Sequence, residues 1–240
     1  MNTRSAIITG ASAGLGLECA RALLAGDPSW HIVLAVRDRA RGADAVARLG
    51  DPHRCTVMEV DLASLRSVRA FVGSVPAAGI PPVHALVCNA GVQVVSGTQL
   101  TDDGLEMTFG VNHLGHFALA AGLLDELARP ARIVVVSSGT HDPAKRTGMP
   151  SPRYTSGADL AHPPADGSTE DGRRRYTTSK LCNVLFTYEL DRRLGHGERG
   201  VTVNAFDPGL MPGTGLARDY PAVARFAWHA ILPRLIPLLD

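Results

Sequence analysis

The sequence lacks any charge bias. Its 24 Lys and Arg against 23 Asp and Glu leave a formal net charge of +1 over 240 residues. A nucleic-acid partner calls for a basic excess, so that class is argued against. Aromatics make up only 5% of the chain, so the core must come from Ala, Val, Leu and Ile. Cys19, Cys55, Cys88 and Cys182 lie far apart and form no CxxC pair. A zinc ribbon or a thioredoxin-type redox motif is therefore not expected. A reducing, cytoplasmic compartment fits this cysteine usage. No run of 18 apolar residues is present, which argues against a membrane span. No charged-then-apolar leader precedes Ala6, and no signal peptide is read. No internal repeat of fixed period appears.

What is present is an ordinary soluble composition, 45% apolar and 20% charged, with enough chain to bury a large core. One compact domain over residues 1–240 is expected. Short apolar runs alternate with helical stretches. Strands are read at Ala6–Thr9, His31–Val36, Cys55–Val60, Val83–Cys88, Ile133–Val136 and Val201–Phe206. Helices are read near 14–26, 38–49, 65–75, 101–128 and 174–194. Aliphatic strands spaced by helices predict a parallel sheet covered on both faces, an α/β doubly wound fold of Rossmann type. Ligands of such folds sit beyond the carboxyl ends of the strands. A long loop insertion, about 139–175, interrupts the rhythm with five prolines and five glycines. It reads either as a substrate lid or as a mobile surface insertion.

After the first strand comes Thr9-Gly10-Ala11-Ser12-Ala13-Gly14-Leu15-Gly16. Glycines in such a turn allow positive φ and let backbone approach a pyrophosphate. The amides of the following helix then point at the anion. Gly10, Gly14 and Gly16 form the expected phosphate cradle, with Leu15 at the helix start and Ser12 as a side-chain donor. The Gly-x-x-x-Gly-x-Gly spacing resembles that of the short-chain dehydrogenase/reductases, and the resemblance covers nearly the whole chain.

The second strand ends Ala35-Val36-Arg37-Asp38. A carboxylate at the tip would hold a ribose 2′-hydroxyl, whereas Arg accommodates a 2′-phosphate. Arg37 therefore predicts NADP(H). Asp38 keeps NAD open, its other role being a helix N-cap. By the resemblance, Asp61-Leu62 would meet the adenine edge, Asp61 otherwise serving as a helix-entry cap. Asn89-Ala90-Gly91 matches the family's Asn-Ala-Gly motif beside the adenosine ribose, with Asn89 bonding neighbouring backbone.

Tyr176 and Lys180 lie at i and i+4, so both project from one helical face. A free phenol has a pKa of about 10, and a nearby ammonium lowers it. Bringing it down three units needs roughly 4 kcal/mol of differential stabilisation. The resemblance completes a catalytic tetrad with Ser138, Ser137 being the alternative, and with Asn112, which in the family kinks its helix and links a water to the lysine. Pro208 and Gly209 match the family's Pro-Gly segment, where backbone and the hydroxyl of Thr214 would grip the nicotinamide carboxamide. His113 and His116 sit at i and i+3 without a third ligand, so packing or pocket lining is expected and no metal. His141 lies close enough in sequence to Ser138 to face a substrate.

The implied activity is hydride transfer between NADP(H) and a carbonyl or alcohol. Within the family, Val111–Phe117 and Tyr176–Leu185 resemble retinol dehydrogenases and light-dependent protochlorophyllide reductases. The Ser137-Ser138 pair resembles ordinary carbonyl reductases, and Leu210 stands where the protochlorophyllide enzymes carry a cysteine. A small-molecule ketone or aldehyde on a bulky apolar substrate is preferred. Light-driven C=C reduction is the alternative. A non-catalytic NADP(H) sensor is a third reading, disfavoured because Tyr176 and Lys180 are both present. No seventh strand is read, so the chain resembles a member cut short after the sixth. A C-terminal lid-like segment, about 210–240, would line the substrate mouth, make a subunit contact or touch a membrane surface, the first being preferred. A homo-oligomer follows from family analogy alone.

Overall fold

The computed structural model describes residues 3–164, 168–209 and 211. Six strands form one parallel sheet: β1 (Arg4–Thr9), β2 (Trp30–Val36), β3 (Cys55–Glu59), β4 (Val83–Cys88), β5 (Leu127–Val136) and β6 (Val201–Phe206). Their order is β3-β2-β1-β4-β5-β6. The chain turns first one way from β1 and then the other, which opens a crevice between β1 and β4.

The inner strands β1 and β2 are buried on both faces, as their aliphatic runs require, while the edge strand β6 alternates buried Val201 and Val203 with exposed Thr202 and Asn204. Alternate residues point to opposite layers. Ile7, Val33, Leu86 and Ile133 pack against Val68 and Phe71 of α3 (Leu65–Ser74), Leu119 and Leu123 of α5 (Gly115–Leu123), and Leu190 of α7 (Thr169–Arg193). Ile8, Ile32 and Leu34 pack on the other face against Leu17, Ala20 and Leu24 of α1 (Gly14–Gly26) and Ala45 of α2 (Arg39–Leu49). Each fully buried aliphatic side chain contributes about 1.5–3 kcal/mol of transfer free energy. No helix among the described residues is long and apolar enough to cross a membrane.

Three sequence readings are corrected. The helix expected over 101–128 is broken: a turn closed by a Leu100–Glu106 bridge leads into α4 (Met107–Phe109), a π-helical turn at Gly110–Leu114, and then α5. The fifth strand begins at Leu127, not Ile133, with a register shift against β4 between Val83 and Ala85. The helix carrying Tyr176 begins at Thr169, where Ser168 and Asp171 form a capping box. The insertion is correspondingly shorter than 139–175 and includes a 3₁₀ turn at Gly139–His141 and the helix α6 (Gly157–Ala161). Gly172 seats the first turns of α7 on the chain after β4, since a Cβ there would lie 2.6 Å from the carbonyls of Val94 and Val95. The lid-like segment at about 210–240, with Leu210 and Thr214, lies outside the described residues apart from Met211.

Candidate active site

The turn after β1 uses its glycines in two ways. Gly10 and Gly14 have φ of 67° and 56°, the left-handed region that other residues rarely adopt. Gly16 is required by space, because a Cβ would lie 2.6 Å from Asn89 Nδ2 and 2.8 Å from the Gly10 carbonyl. Gly16→Ala is therefore expected to cost about 1–3 kcal/mol of stability. Chemical denaturation checks this; an unchanged midpoint would contradict the tight approach.

The N-terminus of α1 is open. Its N-cap, Ala13, offers no acceptor, and no acidic residue lies in the first turn. By contrast α2, α3 and α7 are closed by the side chains of Asp38, Ser64 and Ser168. Exposed amides with a partial positive charge and no internal partner fit a phosphate group. Ser12 and Leu15 stand half-buried on either side of the exposed Ala13 and Gly14.

The remaining strand ends place the other candidates along one edge of the sheet. Asp38 Oδ1 accepts from the amides of Ala40 and Arg41 at 2.9 and 3.1 Å, so its carboxylate serves as the cap of α2. Arg37 is exposed and has no ion-pair partner among the described residues. Asp61 accepts from the Ala63 amide at 2.9 Å, and Leu62 is buried where Gly115 lets α5 approach it closely. Asn89 Nδ2 donates to the Thr9 carbonyl at 2.8 Å, bonding neighbouring backbone. Ala90 packs beside Gly10, and Gly91 brings the turn after β4 against Asn112 and Lys180, where a Cβ would lie 3.4 Å from Asn112 Oδ1 and 3.9 Å from Lys180 Nζ.

Tyr176, Lys180 and Asn112 are all buried. The amine of Lys180 stands 5.6 Å from the centre of the Tyr176 ring and donates to the Val136 carbonyl at 3.0 Å. Burial pushes the Lys180 amine down to about 8, so it remains mostly charged at neutral pH. Asn112 sits in the π-helical turn, with both its amide hydrogens and its carbonyl oxygen engaged by the chain. Its Oδ1 accepts from Val92 N at 2.8 Å, while its Nδ2 donates to Val92 O at 2.9 Å and to Ser179 Oγ at 3.0 Å. Ser179 Oγ donates in turn to the Tyr176 carbonyl at 2.7 Å.

The two serines after β5 point apart, as successive strand residues do. Ser137 is buried and donates to the Lys180 carbonyl at 2.9 Å. Ser138 is half-buried, and among the described residues its hydroxyl accepts a long bond, 3.4 Å, from the Thr140 amide. His141 Nδ1 turns back to the Ser138 carbonyl at 2.6 Å. After β6, Asp207 accepts from Gly209 N at 3.0 Å and pairs with Lys145 at 3.4 Å, holding Pro208 and Gly209 beside the 139–145 turn. His113 stacks on Phe109 and meets Asn183 Oδ1 at 3.2 Å; no cluster of metal-ligating residues occurs among the described residues. Sequence reasoning assigned no role to Thr9, Ser179 or Asn183. Asn183 Nδ2 shares the Val136 carbonyl with Lys180, at 3.2 Å. Polar residues ending an apolar strand or lining a buried helix face were the available signal.

A family model described as short chain dehydrogenase matches residues 4–150. Protochlorophyllide reductase B of Hordeum vulgare is 40% identical over 238 residues, covering 92% of this chain and 59% of the relative. The human WW domain-containing oxidoreductase is 41% identical over 225 residues, covering 89% of this chain and 50% of the relative. The chain thus spans little more than half the length of these curated relatives. Among solved structures, an uncharacterised protein from Mycobacterium paratuberculosis aligns with a TM-score of 0.71 at 36% identity, over 90% of this chain and 71% of that one.

Proposed function

The chain belongs to the short-chain dehydrogenase family, and from that membership we propose that it is an NADP(H)-dependent oxidoreductase acting on a carbonyl or alcohol of a bulky apolar substrate. The observation that carries this reading is the pairing of buried Tyr176 with buried Lys180 at the carboxyl end of the sheet, the amine 5.6 Å from the ring. The dinucleotide, when bound, supplies or accepts the hydride. Tyr176 gives its proton to the carbonyl oxygen during reduction and takes it back during alcohol oxidation. Ser138 donates a hydrogen bond to the same oxygen as charge develops there. Lys180 stabilises the phenolate left on Tyr176. Asn112 holds the backbone of Val92 and the hydroxyl of Ser179, and so fixes the helix that carries both groups.

Gly10, Ser12, Gly14, Leu15 and Gly16 would hold the pyrophosphate, and Asp61, Leu62, Asn89, Ala90 and Gly91 would line the adenosine. Arg37 would pair with a 2′-phosphate. The engagement of Asp38 in capping α2 supports this choice, since that carboxylate is already bonded to two amides. Arg37→Ala is expected to raise the Kd for NADPH about 10- to 100-fold, the loss of a charge-assisted contact, while NADH binding stays within about twofold. Titrations followed by nucleotide fluorescence decide it; equal losses for both nucleotides would point away from the 2′-phosphate.

A screen of ketones, aldehydes and retinoids, read as NADPH oxidation, tests the activity itself. The identity to protochlorophyllide reductases favours one second reading, C=C reduction of a chlorophyll precursor driven by light. Absorbance of that pigment with NADPH, in darkness and under illumination, separates the two.

A further inference from the structure

His116 is fully buried, and burial pushes its imidazole down to about 4, so it is neutral at working pH. It touches two parts of the site at once. Nε2 lies 2.8 Å from Thr9 Oγ1, and Nδ1 lies 3.1 Å from the Asn112 carbonyl.

The donors and acceptors around Thr9 fix which nitrogen carries the proton. A hydroxyl has one proton and two lone pairs. The amides of Asn89 and Ala90 both donate to Thr9 Oγ1, each at 2.9 Å, and fill the lone pairs. The hydroxyl proton then goes to the nearest acceptor, His116 Nε2, in preference to the Val87 carbonyl at 3.3 Å. Nε2 must be bare, and Nδ1 carries the hydrogen donated to the Asn112 carbonyl. The opposite tautomer would aim N–H at an oxygen already saturated and a lone pair at a carbonyl.

Thr9 immediately precedes the phosphate turn and holds the turn after β4. Asn112 begins the chain of bonds that reaches Tyr176 through Ser179. We propose that His116 is a positioning residue: as the Nδ1–H tautomer, it joins the dinucleotide turn to the Asn112–Ser179–Tyr176 chain, so that the nucleotide and the reacting phenol are placed in one frame. The proposal rests on the site assignment made under Proposed function.

Two variants divide the bridge. In His116→Gln the amide occupies the place of Nε2 and can keep Thr9; in His116→Asn it occupies the place of Nδ1 and can keep the Asn112 carbonyl. On the full chain, His116→Gln is expected to bind NADPH within about threefold of wild type and to lose turnover about tenfold. His116→Asn is expected to weaken NADPH binding about tenfold. Nitrogen-15 spectra of wild type should include a histidine with Nδ1 protonated and Nε2 bare, unchanged from pH 8 to pH 5, whose signals are missing from both variants and so belong to His116. A bare Nδ1, a doubly protonated ring at pH 7, or losses of affinity and turnover that track thermal destabilisation equally in both variants would overturn the proposal. The spectra and the binding arm need no substrate. A wild type that binds NADPH but reduces no carbonyl would count against the proposed activity, while those two readouts still decide the role of His116.

Discussion

Tyr176→Phe is expected to lower turnover roughly 10²- to 10⁴-fold, the range for losing a positioned general acid. The NADPH Kd should stay within about threefold. The substitution removes one oxygen and keeps the ring, so the buried packing of Tyr176 persists. Lys180 still bonds the Val136 carbonyl, and Ser179 still bonds the residue 176 backbone. The loss should fall on kcat and kcat/KM together, as for an interaction made mainly in the transition state. Single-turnover oxidation of bound NADPH reads it. A Phe variant with wild-type rate would remove Tyr176 from the chemistry.

Lys180→Met is expected to abolish most turnover and yet to stabilise the protein at pH 7. The amine is fully buried, and its displacement from 10.5 to about 8 has burial as its cause. At 1.36 kcal/mol per unit, holding that charge inside costs about 3 kcal/mol. The lost bond to the Val136 carbonyl returns about 1 kcal/mol of this, and Asn183 still serves that carbonyl. The net gain is about 2 kcal/mol, or about 4–8 °C in Tm for a chain of this size. The pH dependence has a definite sign. Below about pH 8 the lysine is charged in both the folded and the unfolded chain, and the penalty is fully present. Between there and 10.5 the unfolded chain binds more protons, so wild-type stability rises with pH. The advantage of Lys180→Met should therefore be constant below pH 8 and should turn, above about pH 10.5, into a deficit of about 1 kcal/mol from the lost Val136 bond. Denaturation midpoints across that range measure it. A variant less stable than wild type at pH 7 would show that the amine is solvated or paired better than its surroundings indicate.

The parts of this protein legible in its sequence are those set by local rules. The tight turn after β1 needs glycines at fixed offsets between a strand and a helix, and Gly10, Gly14 and Gly16 stand there. Tyr176 and Lys180 share a face because a helix repeats every 3.6 residues. The sheet was legible because β1, β2 and β4 each hold a run of consecutive aliphatic residues, Ala6–Ile8, Ile32–Val36 and Ala85–Val87. In β5 the first residues, Leu127–Arg132, include Pro130 and two arginines, and only the last four look like a strand. The start of α7 was hidden because Thr169–Arg175 has no apolar periodicity. The signal was the Ser168 and Asp171 pair, which closes a capping box with Asp in place of the usual Glu or Gln. The π-helical turn at Asn112 leaves no mark in the apolar pattern, and only the family resemblance, in which this Asn kinks its helix, anticipates it. It follows from Val92, 20 residues away, claiming both ends of the amide. The choice between Ser137 and Ser138 likewise depends on which side of the strand faces α7, and the two dual-purpose aspartates depend on which amides lie within reach. Asp38 found two nearby and Asp61 one.

Ionisation of the chain's four tyrosines, followed by tyrosinate absorbance with NADP⁺ bound, tests the central claim most directly. In the wild type one phenol should ionise well below the others, and that early step should be missing in Tyr176→Phe and displaced upward in Lys180→Met. If wild type and Tyr176→Phe gave the same curve at its low-pH end, the lysine would not be activating this phenol.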